Sequence, residues 1–296
     1  MLQGLGLEME QRCLLIQNNT PEFVFAYWGV HYLGAVTTMA VPFLQGDDIY
    51  RHFASYTRAR VIVAPDYLVP TLRRILPSLP HVKAVLVTTT AAGDPQVADD
   101  PRARGNTTPA EASEVPLRHP FIALDDALTE ASGTFRTCGT LCRDDIATFY
   151  FTGGTTGLPK GCVHRQGDLP YAAATYGRHV MQLTCEDITA TVSPMIGPYA
   201  CGSNLLFPWS VGAAVVVDNN QPSTPEGVFE LLRRFRPTVL VSTPGMIRGM
   251  CDLAETDPAA TDASDALSSL RYAISQCDSR VLLVTFVWRL SSGDVL

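Results

Sequence analysis

No C-x-x-C pair occurs in this 296-residue sequence, although it carries eight cysteines, at positions 13, 138, 142, 162, 185, 201, 251 and 277. Cys138 and Cys142 alone are close in sequence, and no His or second Cys pair stands near them at zinc-ligand spacing. This scatter argues against a zinc ribbon or disulfide scaffold and fits reduced thiols in a cytoplasmic protein. No run of Lys or Arg longer than a pair is present, and 22 basic against 29 acidic residues leave a net charge of −7. The electrostatic footprint of a nucleic-acid partner is therefore missing. The first residues, MLQGLGLEMEQRC, lack the positive segment and apolar stretch of a secretory signal. The longest late apolar run, Val281 to Trp288, falls far short of the ~20 residues needed to cross a bilayer. The expectation is a cytoplasmic protein with no membrane span.

What is present describes a folded α/β chain. Hydrophobic residues make up 46% and charged residues 17%, a globular balance. Short β-branched runs alternate with helical stretches. Arg12–Gln17 reads as a strand, and Thr20-Pro21-Glu22 as a cap, a first-turn proline and an acid at a helix start. Phe23, Ala26, Tyr27, Val30 and Leu33 share one face of that helix, and Gly34 ends it. Strands follow at 35–41, 60–64 and 82–88, with helices from Gly46 to Ala59 and near 67–76. Such spacing means βαβ units and a mostly parallel sheet flanked by helices. Residues 89–120 are rich in Ala, Asp, Pro and Thr without apolar period, and read as an insertion loop. Beyond it, strands are expected at 147–152, 188–193, 213–217, 238–242 and 271–275, and helices at 168–183, 225–235 and 244–254.

The sharpest feature is Tyr150-Phe-Thr-Gly-Gly-Thr-Thr-Gly-Leu-Pro-Lys160-Gly161. An apolar strand runs into a loop of glycines, threonines and one lysine. Glycines let backbone N–H groups turn toward a ligand without Cβ interference, threonines add hydroxyl donors, and Lys160 adds a point charge. This composition suits a polyphosphate. It is not a Walker A loop, because Pro159 precedes the lysine and Gly161 follows it. The glycine spacing also fails the dinucleotide-binding G-x-G-x-x-G pattern.

The order T-G-G-T-T-G-x-P-K-G resembles the phosphate-binding signature of the AMP-forming adenylating superfamily, which includes acyl- and aryl-CoA ligases, luciferases and peptide-synthetase adenylation domains. Gly153 stands where serine is common. Seven fixed positions at average residue usage would coincide on the order of once in a million such chains, so a chance glycine-rich turn is set aside. Other segments agree in order: CLLIQNNTPEFVFAYWGVHYLGAVTTMAVP, PMIGPYACG, LLFPWSVGAAVVV, FRPTVLVSTPGMIRGM and LRYAISQ. The F-P-x-x-x-G-A stretch looks like the aryl-acid branch, close to benzoate and aminobenzoate CoA ligases.

The resemblance implies the large N-terminal domain of an adenylate-forming enzyme, with ATP and Mg²⁺ bound, CoA as co-substrate and a small carboxylic acid as partner. A carboxylate attacks the α-phosphate, pyrophosphate leaves, and a thiol of CoA or of a carrier protein then displaces AMP. By resemblance, Thr152, Gly153, Gly154, Thr155, Thr156 and Gly157 cradle phosphate and Lys160 steadies the charge. Tyr199, Cys201, Gly202 and Ser203 would line or flank the acid pocket, although tyrosine and cysteine at such positions are equally core residue types. Ser275 and Gln276 fall on the adenine side. His164 and Asp168 follow the loop, the first as a structural histidine or a phosphate contact, the second as a helix N-cap.

Residues 1–278 are expected to be a partial AMP-binding domain. The stretch from 279 to 296 does not align, no Y-G-x-[ST]-E motif follows, and the mobile C-terminal domain with its catalytic lysine lies outside the sequence. An ATP-binding fragment without catalysis, and an adenylation module loading a carrier protein, are the alternatives.

Overall fold

The computed structural model describes residues 1–42, 44, 46–89, 121–134, 141–152, 158–219, 224–257, 263–275 and 286–289. The expected insertion loop at 89–120, but for its first residue, and Gln276 lie outside these. The chain divides into two compact units, Met1–Asp168 and Leu169–Leu296.

The first unit is a seven-stranded sheet. Its strands are β1 (Arg12–Ile16), β2 (Val36–Ala40), β3 (Val61–Pro65), β4 (Ala84–Thr88), β5 (Phe121–Ala123), β6 (Ile146–Thr152) and β7 (Lys160–Arg165). They lie in the order β5-β4-β3-β1-β2-β6-β7. All neighbours are parallel except β6 and β7. Both faces of a parallel sheet are covered, so its strands read as continuous apolar runs. Every residue of β2 and β3 is buried. Helix α1 (Pro21–Tyr32) starts as its sequence dictates. The Thr20 hydroxyl accepts from the Phe23 N–H at 3.3 Å, Pro21 takes the first turn, and Gly34 leaves the helix at φ +70°. Its buried Phe23, Tyr27 and Val30 cover one sheet face. On the other, Phe53 and Ala54 of α2 (Asp47–Tyr56) and Leu72 and Ile75 of α3 (Val69–Ile75) pack on Leu14, Ile16, Ile62 and Val85. Sequence patterning did not mark β5, β7 or α4 (Leu124–Thr129). β5 and α4 are short, and β7 is half polar.

The second unit holds β8 (Ile188–Thr191), β9 (Ala214–Val215), β10 (Val239–Ser242), β11 (Tyr272–Ser275) and β12 (Phe286–Arg289), in the order β12-β11-β10-β8-β9. Only β12 runs antiparallel to its neighbour. The expected helix at 168–183 is α5 (Asp168–Ala172) continued by a π-helical stretch, Ala173–Val180. Next come α6 (Pro198–Cys201), a second π-helical stretch (Gly202–Leu206) and α7 (Phe207–Ser210). Then follow α8 (Pro225–Phe235), α9 (Pro244–Thr256) and α10 (Ala263–Leu267). One sheet face packs Leu240 and Ala273 on Phe229, Leu232 and Met250. The other packs Val239, Tyr272 and Ile274 on Met181, Tyr199 and Phe207.

Candidate functional site

In the first unit the glycine loop is the connection of a β-hairpin. β6 and β7 pair through Phe149–Val163, Tyr150–Cys162 and Phe151–Gly161, and end on Thr152 opposite Lys160. This register sets Lys160 at the loop's closing rung, one strand away from the threonine that opens it. Gly153, Gly154, Thr155, Thr156 and Gly157 lie outside the described residues, as does the Thr152 side chain. Gly161 is closely covered: a Cβ there would stand 3.0 Å from Tyr56 Cε1 and 3.2 Å from Phe149 Cδ1. His164 lies edge-on to Tyr150, ring centres 5.5 Å apart, with its Nδ1 3.7 Å from the Asp168 carboxylate. Asp168 begins its helix, and its carboxylate accepts from the Arg165 N–H at 2.9 Å.

The second unit sets Tyr199 and Ser275 at the carboxyl ends of β10 and β11, where ligands of open α/β sheets bind, with Cys201, Gly202 and Ser203 on the turn that follows Tyr199. Tyr199 stands in the first turn of α6. Its hydroxyl lies 3.2 Å from both the Ser242 and the Ile274 carbonyl oxygens, donating across the two strand ends. Burial pushes its phenol well up, so this group is a fixed donor rather than a base. Cys201 is fully buried, and Ser203 donates back to the Tyr199 carbonyl at 2.5 Å. A Cβ on Gly202 would meet the Phe207 ring at 2.8 Å. These four residues therefore form one packed turn.

Ser275 is 3% exposed and Ser242 fully buried, and they are register partners on parallel strands. Neighbours in register point to one face of a sheet. Among the described residues neither hydroxyl has a hydrogen-bond partner. Two adjacent buried donors left unpaired are exceptional in a folded protein, where nearly all such groups are satisfied. The sequence reading named Ser275, for the adenine side, and did not name Ser242. The available signal was a serine closing an apolar strand just before Thr243-Pro244, a helix cap.

Among the described residues no three His, Cys, Asp or Glu side chains converge on a metal position. Mg²⁺ held through nucleotide phosphates needs only one or two carboxylates from a protein. No described helix is long and apolar enough to cross a membrane.

A mostly parallel α/β chain in which β6, one strand in from the sheet edge, opens a T-G-G-T-T-G-L-P-K-G hairpin has the architecture of an adenylate-forming N-terminal domain. The comparisons agree. The family described as AMP-binding enzyme matches residues 1–288, and the chain belongs to it. It is 28% identical over 251 residues to the 4-hydroxybenzoate–CoA/benzoate–CoA ligase of Rhodopseudomonas palustris, covering 84% of this chain and 41% of the relative. It is 30% identical to a p-hydroxybenzoic acid–AMP ligase of Mycobacterium tuberculosis, over 87% of this chain and 30% of that one. The crystal structure of the anthranilate CoA ligase AuaEII with anthranoyl-AMP superposes at TM-score 0.74 with 26% identity, covering 95% of this chain and 48% of that one. The chain thus spans less than half the length of each of these relatives.

Proposed function

We propose that this chain is the N-terminal portion of an ATP-dependent acid–thiol ligase that activates an aromatic carboxylic acid as its acyl-adenylate. The observation that carries this reading is the β6–β7 hairpin, whose register puts Lys160 across from Thr152 at the mouth of a glycine-rich turn. Backbone N–H groups of residues 153–157 and the threonine hydroxyls would hold the β- and γ-phosphates, with Lys160 offsetting their charge. An acid oxygen would attack the α-phosphorus, the bond to the bridging oxygen of the β-phosphate would break, and pyrophosphate would leave, Mg²⁺ on the phosphates offsetting its charge. The acyl carbon then passes to the sulfur of a thiol as AMP departs. The hairpin's contribution is position and electrostatics rather than covalent chemistry.

Lys160→Ala should weaken Mg-ATP binding by roughly 1–3 kcal/mol, the range for a lost charge-assisted bond. Titration calorimetry decides it, and unchanged affinity would overturn the assignment. Pyrophosphate release on adding benzoate or aminobenzoate to the chain supports catalysis. ATP binding without release identifies a non-catalytic binding fragment instead.

Aryl-acid relatives and the serine pair favour an acid that carries a polar ring substituent. Ser242 and Ser275, on the sheet face of Leu240 and Ala273 and not the one that Tyr199 and Phe207 cover, would supply hydroxyls to that substituent at the strand ends. Removing an unpartnered buried hydroxyl relieves about 1 kcal/mol of desolvation. Ser242→Ala should therefore raise the melting temperature by ~2–4 °C while weakening binding of a hydroxy- or aminobenzoate. A drop in melting temperature would show that the hydroxyl is satisfied in the folded protein. The likeness to an AMP ligase keeps a second acceptor in view. Thioester formation with CoA compared against a phosphopantetheinyl carrier protein distinguishes the two.

A further inference from the structure

The β6–β7 ladder ends at Lys160, and the next residue outward, Pro159, has no N–H to add to it. Its carbonyl is held by an element more than a hundred residues earlier. His52, half-buried on α2, places Nε2 3.2 Å from the Pro159 oxygen. A carbonyl only accepts, so Nε2 carries the proton. One helical turn on, Tyr56 shares the same face of α2 and stacks on His52 with ring centres 5.5 Å apart. Tyr56 also meets Phe151 at 6.0 Å, and its ring closes over Gly161 so tightly that a Cβ would stand 3.0 Å away. The face of α2 thus grips the start of β7 twice, by a hydrogen bond at Pro159 and by ring contact at Gly161. Lys160 lies between these two grips.

We propose that His52 is a positioning residue for the phosphate-binding lysine: its imidazole fixes the Pro159 carbonyl, and with it the backbone from which Lys160 projects. The inference rests on the reading that Lys160 meets the ATP phosphates. A positioning bond of this kind matters because a charged group must sit within a fraction of an ångström of its target to act. His52→Leu keeps the apolar bulk against Tyr56 and removes the donor. His52→Gln restores an N–H near the same place.

The test compares these two variants and Lys160→Ala in the full chain by Mg-ATP calorimetry and thermal melting, and the two His52 variants with the unaltered chain also by the rate of tryptic cleavage after Lys160 without nucleotide. His52→Leu is expected to weaken Mg-ATP binding about threefold to tenfold, the effect of one lost hydrogen bond. It should also speed cleavage after Lys160 several-fold with little change in melting temperature, and His52→Gln should restore both. If His52→Leu does not fold, His52→Asn replaces it, since that amide is too short to reach Pro159. A glutamine variant as impaired as the leucine variant overturns the role. A weakened Lys160→Ala beside an unchanged His52→Leu overturns the role of His52 alone. An unchanged Lys160→Ala overturns the ATP reading and this inference with it.

Discussion

Asp187→Ala is expected to destabilise the second unit by about 3 kcal/mol, seen as a lower urea midpoint. Asp187 precedes β8 and its side chain is 2% exposed, yet its carboxylate is fully employed. It accepts from the Thr184 N–H at 2.8 Å, the Thr238 hydroxyl at 2.6 Å, and Arg271 Nε and Nη2 at 2.8 and 2.7 Å. Those donors tie together the amino ends of β8, β10 and β11. Breaking a buried pair typically costs ~3–5 kcal/mol. The lower end applies here because Arg271 is 42% exposed and water can satisfy it once abandoned.

The same carboxylate sets an acid limit. Burial alone would raise its pKa, but the Thr238 hydroxyl, the Thr184 N–H and Arg271 outweigh burial and hold it below the ordinary carboxylate range. A group depressed on folding stabilises the native state fully above its unfolded pKa, which for aspartate is about 3.9. The contribution is lost as pH falls through the lower folded value. Stability measured by urea midpoint should therefore fall below about pH 4, and Asp187→Asn should flatten that fall. An identical acid slope in Asp187→Asn would show that other carboxylates set it.

Much of the fold was legible because its signals are local. The Thr20-Pro21-Glu22 start and the Gly34 stop of α1 each act within one turn, and α8 runs from Pro225 to Phe235 as its periodicity requires. The elements that escaped notice are defined by distant partners. β7 has exposed residues at Lys160, Cys162, Val163 and Arg165, so it has no apolar pattern and is a strand only because β6 stands beside it. The π-helical stretches look like ordinary helix in sequence, since the wider turn is imposed by packing. In the site, the hairpin motif announced itself through residue types that few other structures need together. Ser242 did not, because one serine at a strand end becomes notable only when register brings Ser275 beside it. His52 was equally silent, its meaning residing in a bond to Pro159.

The two π-helical stretches share one wedge, and this makes a graded prediction. Phe207, the first residue of α7, is pressed between Gly177 and Gly202. A Cβ on Gly202 would strike Phe207 Cζ at 2.8 Å and Cε2 at 3.0 Å, atoms at the free end of a side chain. A Cβ on Gly177 would strike Phe207 Cβ at 2.7 Å and lie 3.4 Å from its Cα, atoms fixed by the main chain. Overpacking costs ~1–3 kcal/mol, against which alanine regains up to ~1 kcal/mol of helix propensity over glycine. Gly202→Ala should then cost only about 1 kcal/mol, because the ring can tilt. Gly177→Ala should cost ~2–3 kcal/mol, because the backbone of α7 must move. Adding Phe207→Leu separates the cases, since it removes the ring end and keeps the Cβ. The double variant with Gly202→Ala should be less destabilised than the sum of its singles, whereas the double with Gly177→Ala should be additive within ~0.5 kcal/mol. Urea midpoints for the five variants decide it, and relief of Gly177→Ala by leucine would mean that the ring, not the main chain, limits the space at residue 177.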